Sequence, residues 1–417
     1  MADDDGSKGL TRRRVLTGAA GLAAAGGVGA AAYSAWRNST YLFLLHEAPT
    51  HAGRVDPTWR GSRVARYRPL GHTGVEMSDI SFGGAGIGSP EVVARAVERG
   101  INYFDTSPDY SRTGSEQVIG QALKPHRQKV FIASKFCNAE GHLPKDTPVG
   151  DIVASVEASL RRLQTDYLDV CIIHECNALD RLMAPTFHEA FDRLKEQGKV
   201  RFLGVSSHTP NLEQVMRHAV DSGRFQMLLV AYNFKNWPDL TDIFRDAHAR
   251  GIGVVAMKTL KGARATVLKD FAGGRQAFSQ AAFKWVLSNS HVSGLVVSIQ
   301  DFEQIDEYLY ASGKSFSDAD LALLEDYDRR IAHEYCRPGC GECLDHCPNG
   351  VPIDDVLRYG MYAEDYGWGA QARERYAALP VDRNASRCAS CPAPCEAACP
   401  FGIAIREKLV RLDRLLV

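Results

Sequence analysis

With 417 residues, the chain is long enough to bury one large core with a small accessory domain beside it. Its 45% hydrophobic and 24% charged residues are ordinary for a soluble globular protein. A formal net charge of −1 gives no footing for nucleic-acid binding, which needs a clustered basic face.

Near the start, Arg12 and Arg13 stand before Val15 and Leu16, and a run rich in alanine and glycine comes next. Paired arginines ahead of a weakly hydrophobic run resemble a twin-arginine export signal. Residues 1–36 are therefore expected to be a signal peptide, with an A-x-A-like cleavage site at Ala30 and Ala32 and a periplasmic destination. The run is long enough to span a bilayer, but glycine and alanine match hydrocarbon poorly. A membrane tether results only if the signal stays uncleaved. Residues 37–66 read as an extension, whose "STYLFLLHEAP" is expected to pack on the next domain.

Residues 67–327 form the main domain. Its opening stretch, "RYRPLGHTGVEMSD", reads as a small hairpin covering one end of that domain. Eight apolar runs then alternate with helical stretches: "ISFGG", "NYFDT", "VFIASK", "LDVCIIH", "FLGVS", "MLLVAYN", "GVVAMK" and "LVVSI". The runs are continuous rather than alternating, as parallel strands buried on both faces should be. Eight such units in about 250 residues predict an α/β fold, the (β/α)8 TIM barrel.

Three strands end in ionisable residues: Asp105, Lys135 and His174. Tyr110 lies on the loop after Asp105. Barrel strands deliver such residues to one mouth, at their C-terminal ends. Residues 67 to 312 resemble the aldo-keto reductase family, most specifically in "YRPLGHTG", "GINYFDTSPDYSRTGSEQVIGQAL", "SLRRLQTDYLDVCIIH" and "LKEQGKVRFLGVSSH". The resemblance places Asp105, Tyr110, Lys135 and His174 on that family's catalytic tetrad. Reducing a carbonyl needs a proton for the developing alkoxide. Tyr110 would give it, Lys135 would make the phenol more acidic, Asp105 would fix Lys135, and His174 would orient the carbonyl oxygen.

The resemblance also implies a nicotinamide cofactor, NADP or NAD, held by Ser206, Ser207, Tyr232, Met257 and Lys258. Here the chain departs from the family pattern. Ser207 stands where asparagine is usual, Leu229 where glutamine is usual, and Gln300 near an expected phosphate-binding arginine. Glutamine cannot replace the bidentate phosphate contact of arginine.

Residues 328–417 carry two sets of four cysteines. Cys336, Cys340, Cys343 and Cys347 precede Pro348, and Cys388, Cys391, Cys395 and Cys399 precede Pro400. The spacing is near the bacterial ferredoxin pattern, in which the fourth cysteine of each run serves the other cluster. Zinc usually takes cysteine pairs set well apart, so zinc and disulfides are the weaker readings. Eight ligands suit two [4Fe–4S] clusters; the inserted residue in each set leaves one cluster as the alternative. The region resembles the ferredoxin-like extension of an aldo-keto reductase subgroup, of helical type, with the aromatic "RYGMYAEDYGWG" packing it. Twin-arginine export moves folded proteins, so clusters built inside the cell and this signal fit together.

Cys137, Cys171 and Cys176 lie outside both sets. Cys171 reads as a buried small hydrophobe, Cys176, two residues beyond His174, is not assigned to the site, and His346 reads as exposed. The leading expectation is an exported oxidoreductase interconverting a small carbonyl and alcohol, sugars included, with the clusters relaying electrons to or from a redox partner protein. The alternative is an electron-transfer or binding protein whose barrel has lost nicotinamide-dependent catalysis.

Overall fold

The computed structural model describes residues 56–87, 89–208, 211–235, 239–260, 277–331, 333–334, 336–337, 340–364 and 369–417. The expected signal at 1–36, the extension as far as residue 55, and residues 365–368 of the aromatic stretch lie outside them. No helix among the described residues is long and apolar enough to cross a membrane.

Strands β1 (Tyr67–Pro69) and β2 (Glu76–Ser78) form the antiparallel hairpin read from the sequence. The eight apolar runs form parallel strands: β3 (Ile80–Gly83), β4 (Tyr103–Asp105), β5 (Phe131–Lys135), β8 (Leu168–Ile173), β9 (Val200–Ser207), β10 (Met227–Ala231), β11 (Gly253–Met257) and β12 (Gly294–Ser298). They pair in chain order and close where β12 meets β3, with Leu295 opposite Ile80. The expected eight-stranded barrel is present. Two short strands, β6 (Cys137–Asn138) and β7 (Gly141–His142), make a further hairpin after β5.

Alternation along each strand sorts side chains into two cores. Tyr103, Ala133, Ile172, Leu229 and Val255 point into the barrel, where Leu70, Val75 and Met77 of the first hairpin join them. Leu70 packs beside Gly253 at the start of β11, so the hairpin plugs the N-terminal end. Residues of opposite phase, such as Phe104, Ile132, Cys171 and Ile173, pack outward under the helices. These include α1 (Pro90–Glu98), α2 (Gly114–Leu123), α3 (Val149–Leu163), α4 (Leu179–Leu182), α5 (Pro185–Glu196), α6 (Leu212–Ser222), α7 (Thr241–Ala249), α8 (Phe278–Ser288) and α9 (Phe302–Leu309).

Helix α10 (Asp318–Ile331) runs through position 327, where the sequence suggested a boundary. Its Leu324 and Tyr327, with Phe278 of α8, share a core with the cysteine-bearing region. That region contains α11 (Ile353–Glu364), α12 (Gly369–Ala377), α13 (Pro394–Ala397) and α14 (Ile405–Leu416), and no strand among its described residues. Helices α11 and α14 approach closely at Gly360, where a Cβ would lie 2.5 Å from Leu412 Cδ2. A larger residue there would have to displace the Leu412 side chain.

Candidate active site

Strand phase delivers the tetrad. Tyr103, Ala133 and Ile172 point inward, so Asp105, Lys135 and His174, each two residues on, also point inward at the C-terminal mouth. Lys135 Nζ donates to Asp105 Oδ1 and to the Thr106 carbonyl, both at 2.7 Å. The pair is buried, with Asp105 3% and Lys135 1% exposed. Tyr110 lies over it, its ring centroid 4.5 Å from Lys135 Nζ, and meets the His174 ring edge-on at 6.0 Å. Beyond Tyr110, the non-glycine residues Ser111, Arg112 and Thr113 all adopt left-handed backbone before α2 begins. Such a run is strained and shows a loop held by its surroundings.

The electrostatics correct one expectation. Burial, followed by the charges of Asp105 and Asp109, pushes the Tyr110 phenol well above its usual value. Lys135 Nζ, 4.5 Å from the ring centroid, does not outweigh these effects. Tyr110 is therefore held as the protonated acid. Burial, with His142 and Lys135 nearby, pushes His174 well below the usual imidazole range and keeps it neutral.

A second layer joins the mouth to the C-terminal helices. Glu175, following His174, has left-handed backbone. Its carboxylate lies 3.4 Å from Arg358 Nη2 of α11, 3.6 Å from Arg375 Nη1 of α12 and 3.2 Å from His208 Nε2. Arg358 Nη1 also lies 2.7 Å from His208 Nδ1. Burial opposes the Glu175 charge, but Arg358, His142 and Arg375 outweigh it and hold the carboxyl below its usual range. Sequence reasoning missed these groups because the partners are up to 200 residues apart in the chain (Glu175 with Arg375).

The expected cofactor residues separate. Met257 faces the barrel interior, and Lys258, in left-handed backbone, donates from Nζ to the Tyr362 hydroxyl of α11 at 3.0 Å. Ser206 Oγ accepts from the Glu175 backbone N–H at 2.9 Å, and Ser207 is buried in β9. Tyr232 does not join them. Its phase is opposite to Leu229, so its ring lies outside the barrel against Phe244 at 4.9 Å and Trp285 at 5.0 Å. Leu229 is buried inside the barrel and offers no amide. After Gln300, Asp301 caps α9 by accepting from Gln304 N at 2.8 Å, placing a carboxylate at the helix N-terminus. A carboxylate opposes phosphate binding there. The amide and arginine positions usual for a nicotinamide dinucleotide are thus not met.

The cysteines group across the two sequence sets. Cys343 has Cys336, Cys399 and Cys340 as electrostatic neighbours. Cys388 has Cys347, Cys391 and Cys395. Burial, then these neighbouring sulfurs, pushes Cys343 up to about 12 and Cys388 up to about 11. A bound cationic centre removes that repulsion. Of the remaining cysteines, it is Cys137 rather than Cys176 that meets the tetrad, with Sγ 3.2 Å from His174 Nδ1. Cys171 is buried in the outer core, as expected.

The sequence pattern of the aldo/keto reductase family matches residues 80–276. Over these residues the chain is similar to that family, and the protein is an aldo-keto reductase-like oxidoreductase. L-galactose dehydrogenase of Arabidopsis thaliana is 27% identical over 282 residues, covering 58% of this chain and 87% of that protein. Aldo-keto reductase AFTS1 of Alternaria alternata is 26% identical, covering 63% and 91%. In fold, the chain is similar to the aldo-keto reductase AKR11C1 from Bacillus halodurans in its holo form. That likeness has a TM-score of 0.53 at 24% identity and covers 63% of this chain and 96% of that one.

Proposed function

We propose that this protein is an exported aldo-keto reductase-type oxidoreductase. It interconverts a small carbonyl and its alcohol, and two [4Fe–4S] clusters in its C-terminal region relay electrons to or from a redox partner. The observation that carries this reading is the convergence of Tyr110, the buried Lys135–Asp105 pair and neutral His174 at the barrel mouth beneath α11 and α12.

In reduction, the substrate oxygen lies between Tyr110 and His174. When a hydride reaches the carbon from a nicotinamide-type donor, the oxygen becomes an alkoxide-like base, far stronger than a phenolate, and takes the Tyr110 proton, so the new C–H comes from the donor and the new O–H from Tyr110. Neutral His174 donates a hydrogen bond to the same oxygen and stabilises its charge. Lys135 stabilises the phenolate left behind, and Asp105 keeps Lys135 in place. Arg358 and Arg375, drawn in by Glu175, exclude water from the mouth.

Cys336, Cys340, Cys343 and Cys399 would hold one cluster, and Cys388, Cys391, Cys395 and Cys347 the other. When bound, the clusters supply one-electron transfer. The relative named L-galactose dehydrogenase supports sugars as one substrate class. A second reading, an electron-transfer protein without nicotinamide catalysis, is favoured by Leu229, Ser207 and the Asp301 cap.

The test is an assay of anaerobically purified protein with small aldehydes and aldoses, supplied in turn with NADPH, NADH or a reduced viologen. Aldehyde consumption with the viologen, at about eight irons per chain by the arithmetic of two four-iron clusters, supports the proposal. Iron-free protein, or no consumption with any donor, contradicts it.

A further inference from the structure

At the edge of the tetrad, and including its His174, four side chains from three loop segments converge on one point. Asp109 follows β4, Cys137 and His142 lie on the β6–β7 hairpin, and His174 follows β8. One donor atom from each lies within 4.8 Å of all the others. Cys137 Sγ is 3.2 Å from His174 Nδ1, and His174 Nδ1 is 3.7 Å from Asp109 Oδ1. His142 Nε2 is 3.7 Å from Asp109 Oδ2. Both Asp109 Oδ2 and His142 Nε2 are buried without a hydrogen-bond partner. Two orphaned atoms of opposite kind, facing one point, need a physical reason.

We propose that Asp109, Cys137, His142 and His174 form a binding site for one divalent transition-metal ion of the zinc class. The donors are two imidazoles, a thiolate and a carboxylate. A thiolate and imidazoles select zinc-like ions over magnesium or calcium, which take oxygen. Around a tetrahedral ion with bonds of about 2.0–2.3 Å, neighbouring donors sit roughly 3.3–3.8 Å apart. The distances above already approach that. Carboxylate and thiolate together balance the charge of a divalent ion, so the closed site would be neutral.

The fold builds this arrangement. Cys137 and His142 are directly opposed across the β6–β7 pair, which places both side chains on one face. Asn138 Oδ1 accepts from the N–H groups of Glu140 and Gly141, both at 3.0 Å, and fixes the turn between them. The charged neighbours are Arg375, whose Nη2 lies 3.8 Å from Asp109 Oδ2, and Glu175, whose Oε2 lies 3.4 Å from His142 Nε2. The arginine at 3.8 Å is beyond hydrogen-bond reach and leaves Oδ2 available to an ion.

The site also acts on the tetrad. Nδ1 is the His174 nitrogen turned toward Cys137 and Asp109. Ligation through Nδ1 leaves the ring proton on Nε2, the tautomer that donates to a substrate oxygen. Metal binding stands or falls by itself, whether or not the carbonyl chemistry proposed above is correct.

The experiment uses the full chain, purified anaerobically with its native metal content, dialysed against micromolar zinc sulfate and measured for zinc and iron in one sample. One zinc per chain is expected. His142→Ala and Cys137→Ala should each weaken zinc binding by more than the roughly 10–100-fold typical of an outer-shell change, with iron per chain unmoved. His142 lies on a short, partly exposed hairpin, so its alanine variant decides the matter if Cys137→Ala fails to fold. Absence of bound zinc overturns the proposal, as does an equivalent of zinc that His142→Ala retains.

Discussion

Arg358, carried on α11, bridges two barrel loops: its guanidinium lies 2.7 Å from His208 Nδ1 and 3.4 Å from Glu175 Oε1. It is 7% exposed, and the charge of Glu175 keeps it protonated against the penalty of burial. It ties the cysteine-bearing region to the catalytic mouth. Arg358→Met should leave Glu175 with Arg375 as its remaining arginine, beside His208 and His142, and cost about 3–5 kcal/mol, the usual consequence of removing one partner of a buried pair. Denaturant unfolding measures it. Adding Glu175→Gln should recover part of the loss, and a single variant as stable as the parent would show that the link is dispensable.

Lys135→Met tests the buried pair. Methionine fills the volume but leaves Asp105 beside no cation, and Asp105 Oδ2 already lacks a hydrogen-bond partner. A loss of about 3–5 kcal/mol is expected, together with a large fall in turnover. Lys135→Met with Asp105→Asn should regain stability without regaining turnover. Recovery of both would remove the cation from the chemistry.

The grouping of sulfurs makes a crossed prediction. Cys347→Ser should disturb the centre held by Cys388, Cys391 and Cys395, and Cys399→Ser the one held by Cys336, Cys340 and Cys343. Electron paramagnetic resonance of the reduced protein distinguishes two centres. If each serine variant perturbs the centre of its own sequence set, the ligation is uncrossed.

Export is tested at the N-terminus. Replacing Arg12 and Arg13 with lysine should leave folded protein in the cytoplasm, because paired arginines are what the route recognises. Fractionation of cells expressing that double variant is the measurement. Normal export would mean that another signal is used.

The barrel was legible because its eight strands are continuous apolar runs, and Asp105, Lys135 and His174 end three of them. Tyr232 was misplaced for a reason the sequence contained: it is three residues from inward-facing Leu229, an odd step, so it faces outward. The β6–β7 hairpin was hidden because each strand has only two residues, too short for any period to show. Cys137 therefore looked unrelated to His174, although the hairpin folds it onto the imidazole. The upward shift of Tyr110 comes first from burial, then from Asp105 and Asp109; both acids stand close by in the sequence, but the burial does not show there.

Tyr110→Phe tests the central claim most directly. Phenylalanine keeps nearly all of the buried surface and removes only the hydroxyl, and it alters none of the eight cysteines of the two C-terminal sets. Turnover of a small aldehyde with the donor that supports the parent protein should fall by about 10²–10⁴-fold, the usual share of a general acid, while iron per chain and the unfolding midpoint stay unchanged. Undiminished turnover at unchanged iron would contradict the account, because the chemistry would then lie outside the tetrad.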